Sequence, residues 1–301
     1  MNQNEIEQIR RIESAATYQS LAPGLSISER TGFAGPYVAS TARKVSLPAR
    51  ERFDHDGWFC LPDVIAEPTL SALRNAIFAL EDAGLPAIFA YVYDEFWLSL
   101  NSVATTIAEL VGPVIALPDI WAWHLRQGAA AKGWRAHRGS YQRKLSLDGG
   151  PALVNVWIPL TDVDEDNACM WLVPRSMDAD YPDSLDSHAG VHLGIPIPAK
   201  AGAIVGWDAN VLHWGCDMTD RAKAPRISFS FVLQACGGDA LDGNAPPLAP
   251  DFQSRLVLIA AMLETYRALA GDQSPDITQW AQLRNQSATL IRSRSGARSR
   301  F

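Results

Sequence analysis

The spacing of apolar and polar positions changes character twice along the chain. Residues 4–17 carry the pattern of a short polar helix, and residues 20–50, rich in Ser, Gly, Pro and Thr, read as a loop-like arm. A short apolar strand, Trp58-Phe59-Cys60-Leu61, follows the Asp56-Gly57 turn. Glu67 to Ala83 is a predicted helix. Pro68 sits near its first turn, Leu70, Leu73, Ile77 and Leu80 share one face, and Gly84 stops it. A second helix is predicted over 95–112, closed by Gly112-Pro113. From about residue 114, short apolar or alternating runs are separated by Gly, Pro, Asp and Asn: Ile120–Leu125, Leu153–Leu160, Met170–Val173, Ala203–Trp207 and Ile227–Leu233. That is the pattern of an antiparallel barrel or sandwich. Residues 252–270 and 276–293 return to helical spacing, and a mobile tail is expected after them.

Composition narrows the class. With 301 residues, 48% hydrophobic and 20% charged, the chain is an ordinary globular protein. The expected organisation is an N-terminal helix and arm (1–50), a β-barrel core with buttressing helices (51–235) and a C-terminal helical extension (236–301). A net charge of −7 argues against a nucleic-acid binder. No apolar run approaches the ~18 residues of a membrane span, and the polar start does not read as a secretory signal. Cys60, Cys169, Cys216 and Cys236 form no CxxC pair and no structural zinc pattern, so a cytoplasmic protein with free thiols is expected.

Two of the six histidines stand in informative contexts: Trp134-Arg135-Ala136-His137-Arg138-Gly139-Ser140-Tyr141, and Gly206-Trp207-Asp208-Ala209-Asn210-Val211-Leu212-His213-Trp214-Gly215. Arg226-Ile227-Ser228 follows the second. His124, His188 and His192 have no such setting, and His55-Asp56-Gly57 reads as a turn. Taken with the Asp56-Gly57-Trp58 strand and its helix, the run Asn155 to Asn167 and the turn Pro174-Arg175-Ser176-Met177, these segments resemble the phytanoyl-CoA dioxygenase-like branch of the Fe(II)/2-oxoglutarate oxygenases, over about residues 50–235. The resemblance implies a mainly β fold with flanking helices, a double-stranded β-helix (a jelly-roll or cupin-like barrel). It implies His137 and His213 as iron ligands, Arg226 with Ser228 as the anchor of the far 2-oxoglutarate carboxylate, and Trp157 on a strand lining the cosubstrate pocket. A guanidinium fork suits that carboxylate, and ferrous iron suits imidazole with open positions beside it.

The family expects Asp or Glu where this chain has Gly139. Some members of the superfamily with His-x-Gly or His-x-Ala are halogenases, in which chloride takes the carboxylate's place. The expected activity is therefore a radical halogenase that uses Fe(II), 2-oxoglutarate, O2 and chloride to chlorinate an unactivated aliphatic carbon. Two alternatives stand beside it. One is a hydroxylase or desaturase whose shell is completed by Asp148, Asp208 or water; the other is a non-catalytic ligand-binding barrel. Ser140 and Tyr141 are candidates to hydrogen-bond chloride or substrate, and Trp157, Trp207 and Trp214 to stack on a planar substrate. Arg135, Arg138, Arg143 and Lys144 could bracket an anion, which points to a free small molecule such as a nucleotide or another natural-product intermediate. Residues 178–198 resemble an insertion or lid. Oligomeric state is not legible.

Overall fold

The computed structural model describes residues 3–29, 44–62, 64–126, 133–139, 153–182, 188–236, 250–267 and 275–298. Ser140, Tyr141, Arg143, Lys144 and Asp148 lie outside these residues. Contacts divide the chain into two compact units, Met1–Tyr37 with Asn75–Trp97 and Ala249–Phe301, and Val38–Arg74 with Leu98–Leu248.

The first unit is helical. It holds α1 (Gln3–Ile12), α2 (Ala15–Leu21), α6 (Phe252–Thr265), α7 (Pro275–Arg298) and a 3₁₀ turn at Ala87–Val92. Two helices thus replace the single one predicted over 4–17, and α7 runs past residue 293, where its spacing predicts the end. Asp251 caps α6 by accepting from the Ser254 amide at 2.9 Å. Tyr18 is wholly buried, edge-on to Phe252 and stacked on Phe89, and its hydroxyl donates to the Ile12 carbonyl at 2.8 Å.

The second unit is built on two antiparallel sheets. The larger has the order β1 (Trp58–Leu61), β6 (Ile204–Asp208), β3 (Leu153–Pro159), β8 (Arg226–Ala235), β2 (Val114–Leu125). The smaller has the order β5 (Ile195–Ile197), β4 (Met170–Leu172), β7 (His213–Gly215). One apolar cluster joins Trp157 of β3 and Val205 and Trp207 of β6 to Met170 and Leu172 of β4 and Ile197 of β5, so the sheets face each other across it. This is the expected double-stranded β-helix. β3 and β8 are buried along nearly their whole length, and β3 is accordingly apolar apart from Asn155, whereas β8 also buries Arg226, Ser228 and Gln234. In β2 the register against β8 shifts between Ala116 and Ile120, where Pro118 has no N–H to give the ladder.

The arm read over 20–50 ends in a helix, α3 (Leu47–Asp56), which the sequence pattern does not announce. Only Ala49 and Phe53 of α3 are buried, so it has no apolar stripe to read. His55-Asp56-Gly57 is its C-terminus, with Gly57 at φ 77° donating to Phe53 O at 3.0 Å. β1 leaves that cap and pairs with β6, Trp58 opposite Trp207. α4 (Glu67–Asp82) and α5 (Asp94–Val111) match their predicted spans to within a residue at each end. Arg74 of α4 donates to Leu160 O at 2.7 Å, tying that helix to the end of β3. Within the segment read as a lid, Ile195–Ile197 is instead an edge strand of the smaller sheet, too short to show an alternation.

Candidate active site

Residues 133–139 run antiparallel along the outer side of β7 and its flanks. Gly215 N donates to Trp134 O at 3.2 Å and Gly139 N to Ala209 O at 2.6 Å. Between them His137 and His213 face each other on one rung, each amide donating to the other's carbonyl at 3.0 Å. Opposed residues on an antiparallel rung project to the same side of the sheet. The two rings accordingly lie 4.2 Å apart between centroids, although 75 residues separate them in sequence.

Both imidazoles are fixed in the same tautomer. Nδ1 of His137 lies 2.9 Å from Arg135 O and Nδ1 of His213 lies 2.9 Å from Val211 O. A carbonyl only accepts, so each Nδ1 carries the proton and each Nε2 keeps its lone pair. Burial holds both rings below the ordinary histidine range, His213 well below it. His188 adds to the lowering of His137, and His137 adds to the lowering of His213. Neutral rings with Nδ1–H tied to backbone carbonyls are the form in which histidine binds a metal. Trp207 packs on His213 at 4.8 Å and Trp134 meets His137 edge-on at 5.8 Å.

Arg226 opens β8, is 4% exposed, and Ile227, Phe229 and Phe231 beside it are buried. Its guanidinium sits over Trp157 at 5.8 Å and Trp123 at 5.7 Å, and its Nη1 donates to Ala168 O at 3.0 Å. Burial pulls it down to about 10, which leaves it cationic at neutral pH. Among the described residues no carboxylate pairs with it, its Nε has no partner, and the buried Ser228 hydroxyl two residues on has none either. The indole N–H groups of Trp157 and Trp207 are likewise buried without an acceptor among the described residues. A buried cation and a hydroxyl left in this state fit an anionic ligand with oxygen acceptors.

Other sequence candidates are placed differently. A Cβ added at Gly139 would lie 2.9 Å from both Ala209 Cβ and Ala209 O, so the room expected beside the histidines is filled there by Ala209. The cause is the close approach of two backbones, seen in the short Gly139–Ala209 hydrogen bond. Asp208 does not join the histidines: Tyr181 donates its hydroxyl to Oδ2, and Asn210 donates its amide to Oδ1 at 3.0 Å. Among the described residues no three His, Cys, Asp or Glu side chains are grouped to hold a metal. Arg138 does not bracket a ligand. It forms a fully buried pair with Asp178 at 2.6 Å and donates to Asn210 O at 2.8 Å. Trp214 stacks on Trp171 at 6.0 Å rather than on the histidines. Sequence reading assigned no role to Asp178; nothing local to it foretells a partner 40 residues away.

The family model of phytanoyl-CoA dioxygenase (PhyH) matches residues 118–220, the stretch that holds both histidines. Among solved structures, the non-heme α-ketoglutarate-dependent carbocyclase SnoK from nogalamycin biosynthesis is 18% identical. That match covers 66% of this chain and 87% of SnoK, with a TM-score of 0.51. The epimerase SnoN of the same biosynthesis is 17% identical over 68% of this chain and 90% of its own, at TM-score 0.49. EctD from S. alaskensis is 15% identical over 75% and 89%, at 0.48. No curated protein matches the chain in sequence. The family match supports an oxygenase-type enzyme, and the fold is of the double-stranded β-helix class. Among the described residues no helix is long and apolar enough to cross a membrane.

Proposed function

We propose that the enzyme uses Fe(II), 2-oxoglutarate and O2 to functionalise an aliphatic carbon of a free small molecule. The observation that carries this reading is the pairing of two neutral histidines on one rung with a buried arginine that has no resident acid. His137 and His213 would hold iron through Nε2. Arg226 and Ser228 would receive the far carboxylate of 2-oxoglutarate, with Trp157 beneath the guanidinium. When bound, the metal would supply the oxygen activation; the chain would supply an apolar wall of Trp157 and Trp207 and a fixed orientation for the cosubstrate.

Within that activity, halogenation is the form to test first, because Gly139 brings no carboxylate to the rung and Asp208 is engaged elsewhere. Chloride would then complete the metal's shell. A specific observation favours the second form, a hydroxylase or desaturase: contact with Ala209 accounts for a glycine at 139 without any anion. The removal of Arg138 from the group of candidate anion contacts leaves Arg135, Arg143 and Lys144 for a nucleotide-like substrate.

The test is an anaerobic titration of the apo-protein with Fe(II) and 2-oxoglutarate, with and without chloride, following the metal-to-ligand charge-transfer absorption. A band that responds to chloride supports the halogenase. A band indifferent to chloride moves the assignment to the hydroxylase or desaturase, and the absence of any band overturns iron and 2-oxoglutarate altogether.

A further inference from the structure

Cys169 and Cys216 are 47 residues apart and carry no motif, yet the smaller sheet brings them together. The last paired rung of β4 and β7 is Met170 with Gly215, and the two cysteines stand one step beyond it, facing each other. Their thiols are in hydrogen-bonding contact, and Cys216 Sγ also lies 3.6 Å from Cys169 O. Cys169 is wholly buried, whereas Cys216 is half-buried and reachable from solvent. Neither takes part in the chemistry proposed above.

We propose that Cys169 and Cys216 are a redox-active dithiol, with Cys216 the attacking thiol and Cys169 the resolving one, oxidised by a peroxide. The surroundings divide these roles. The Cys169 thiol, the Trp171 indole N–H and the Arg226 guanidinium all favour a thiolate at Cys216, which holds it below the usual thiol range. Cys169 is raised, first because it is the donor to Cys216 and then by burial. An accessible thiolate beside a second thiol is the arrangement that oxidises reversibly. In the first step the Cys216 thiolate attacks one oxygen of hydrogen peroxide. The O–O bond breaks, hydroxide leaves and takes up a proton, and Cys216 becomes a sulfenic acid. Cys169 then attacks that sulfur; the S–S bond forms, the S–O bond breaks, and a second water departs with the Cys169 proton. Two thiols lose two electrons and the peroxide becomes two waters. The bond would join the strand ends against which Arg226 lies, since Nη1 of that residue touches Ala168 O and approaches Gly215.

Stoichiometric hydrogen peroxide on the full chain, followed by thiol counting and non-reducing peptide mapping, tests this. The free thiols should fall from four to two, with a Cys169–Cys216 cross-linked peptide that dithiothreitol dissolves. Cys216→Ser should abolish the cross-link and Cys236→Ser should leave it intact. Should Cys216→Ser not fold, the unmodified chain treated with diamide, which only converts thiols to disulfides, must give the same peptide. Oxidation that falls first on the exposed Cys236, or that drives Cys216 to sulfinic acid while Cys169 stays a free thiol, overturns the pair.

Discussion

Two arginines are buried in different units of this protein, and their surroundings differ. Arg255 of α6 meets Asp94 at 2.6 Å and donates to Pro250 O and Val92 O, both at 2.7 Å. Asp94 in turn accepts from the Ser28 amide and hydroxyl at 3.0 and 2.7 Å. Arg226 of β8 has one backbone acceptor and two aromatic faces, and no described carboxylate. Each keeps one nitrogen without a partner among the described residues, Nη2 in the first and Nε in the second. Hydrogen bonding separates them, with three acceptors for Arg255 against one for Arg226, and so does charge, since only Arg255 meets a carboxylate among the described residues. A buried cation with its counter-charge built into the chain is architecture. One without a carboxylate partner is the one proposed above to receive an anion from outside.

The strongest way to break this contrast is to remove the counter-charge of one arginine and, separately, the other arginine itself. Asp94→Ala should cost about 3–5 kcal/mol, because it strands Arg255 in the interior, and a fall in the urea midpoint would report it. Arg226→Leu should do the opposite. It removes a buried cation that no described carboxylate pairs with, so the midpoint should hold or rise, while 2-oxoglutarate affinity by calorimetry falls roughly 10- to 100-fold, the worth of a charged hydrogen-bonded contact. If Arg226→Leu melted as early as Asp94→Ala and still bound 2-oxoglutarate, the distinction would be wrong. The smallest effect sharpens the comparison through pH. All six histidines belong to the second unit, and burial depresses His137 and His213 below their ordinary value of 6.5. Between that value and the lower folded ones, the unfolded chain binds more protons than the folded chain. The metal-free protein should therefore lose stability as pH falls below 6.5, with amide hydrogen exchange quickening first around β7. Uniform quickening across α6 and α7 would count against a histidine origin.

Long elements announced themselves and short ones did not. α4 is visible because Leu70, Leu73, Ile77 and Leu80 repeat at helical spacing, and all four are buried at 2% exposure or less. β8 is visible because Ile227, Phe229, Phe231 and Leu233 alternate with Arg226, Ser228 and Ser230 over a strand long enough to show a period of two. β7 has three residues, His213 to Gly215, and no period can be read in three; it nevertheless carries half of the proposed metal clamp. His137, His213 and Arg226 entered through resemblance to a family pattern, since the sequence alone cannot bring residue 137 to residue 213. What stayed illegible was long-range and pairwise. The burial of Arg138 against Asp178, the occupation of the space at Gly139 by Ala209 and the meeting of Cys169 with Cys216 all follow from how strands are laid beside one another. None leaves a trace in local composition.

The rung shared by His137 and His213 has a consequence for how a metal would be held. Both donors hang from one pair of peptide groups, so their bite is inherited from strand spacing, about 5.5 Å between α-carbons on such a rung. It is set when the chain folds. Neither ring can swing far to widen or narrow the grip, because each Nδ1–H is tethered to a carbonyl two residues back in its own segment. If His137 and His213 hold iron as proposed, the spacing of their two nitrogens would be fixed by the backbone, the least adjustable part of a protein, before any metal arrives.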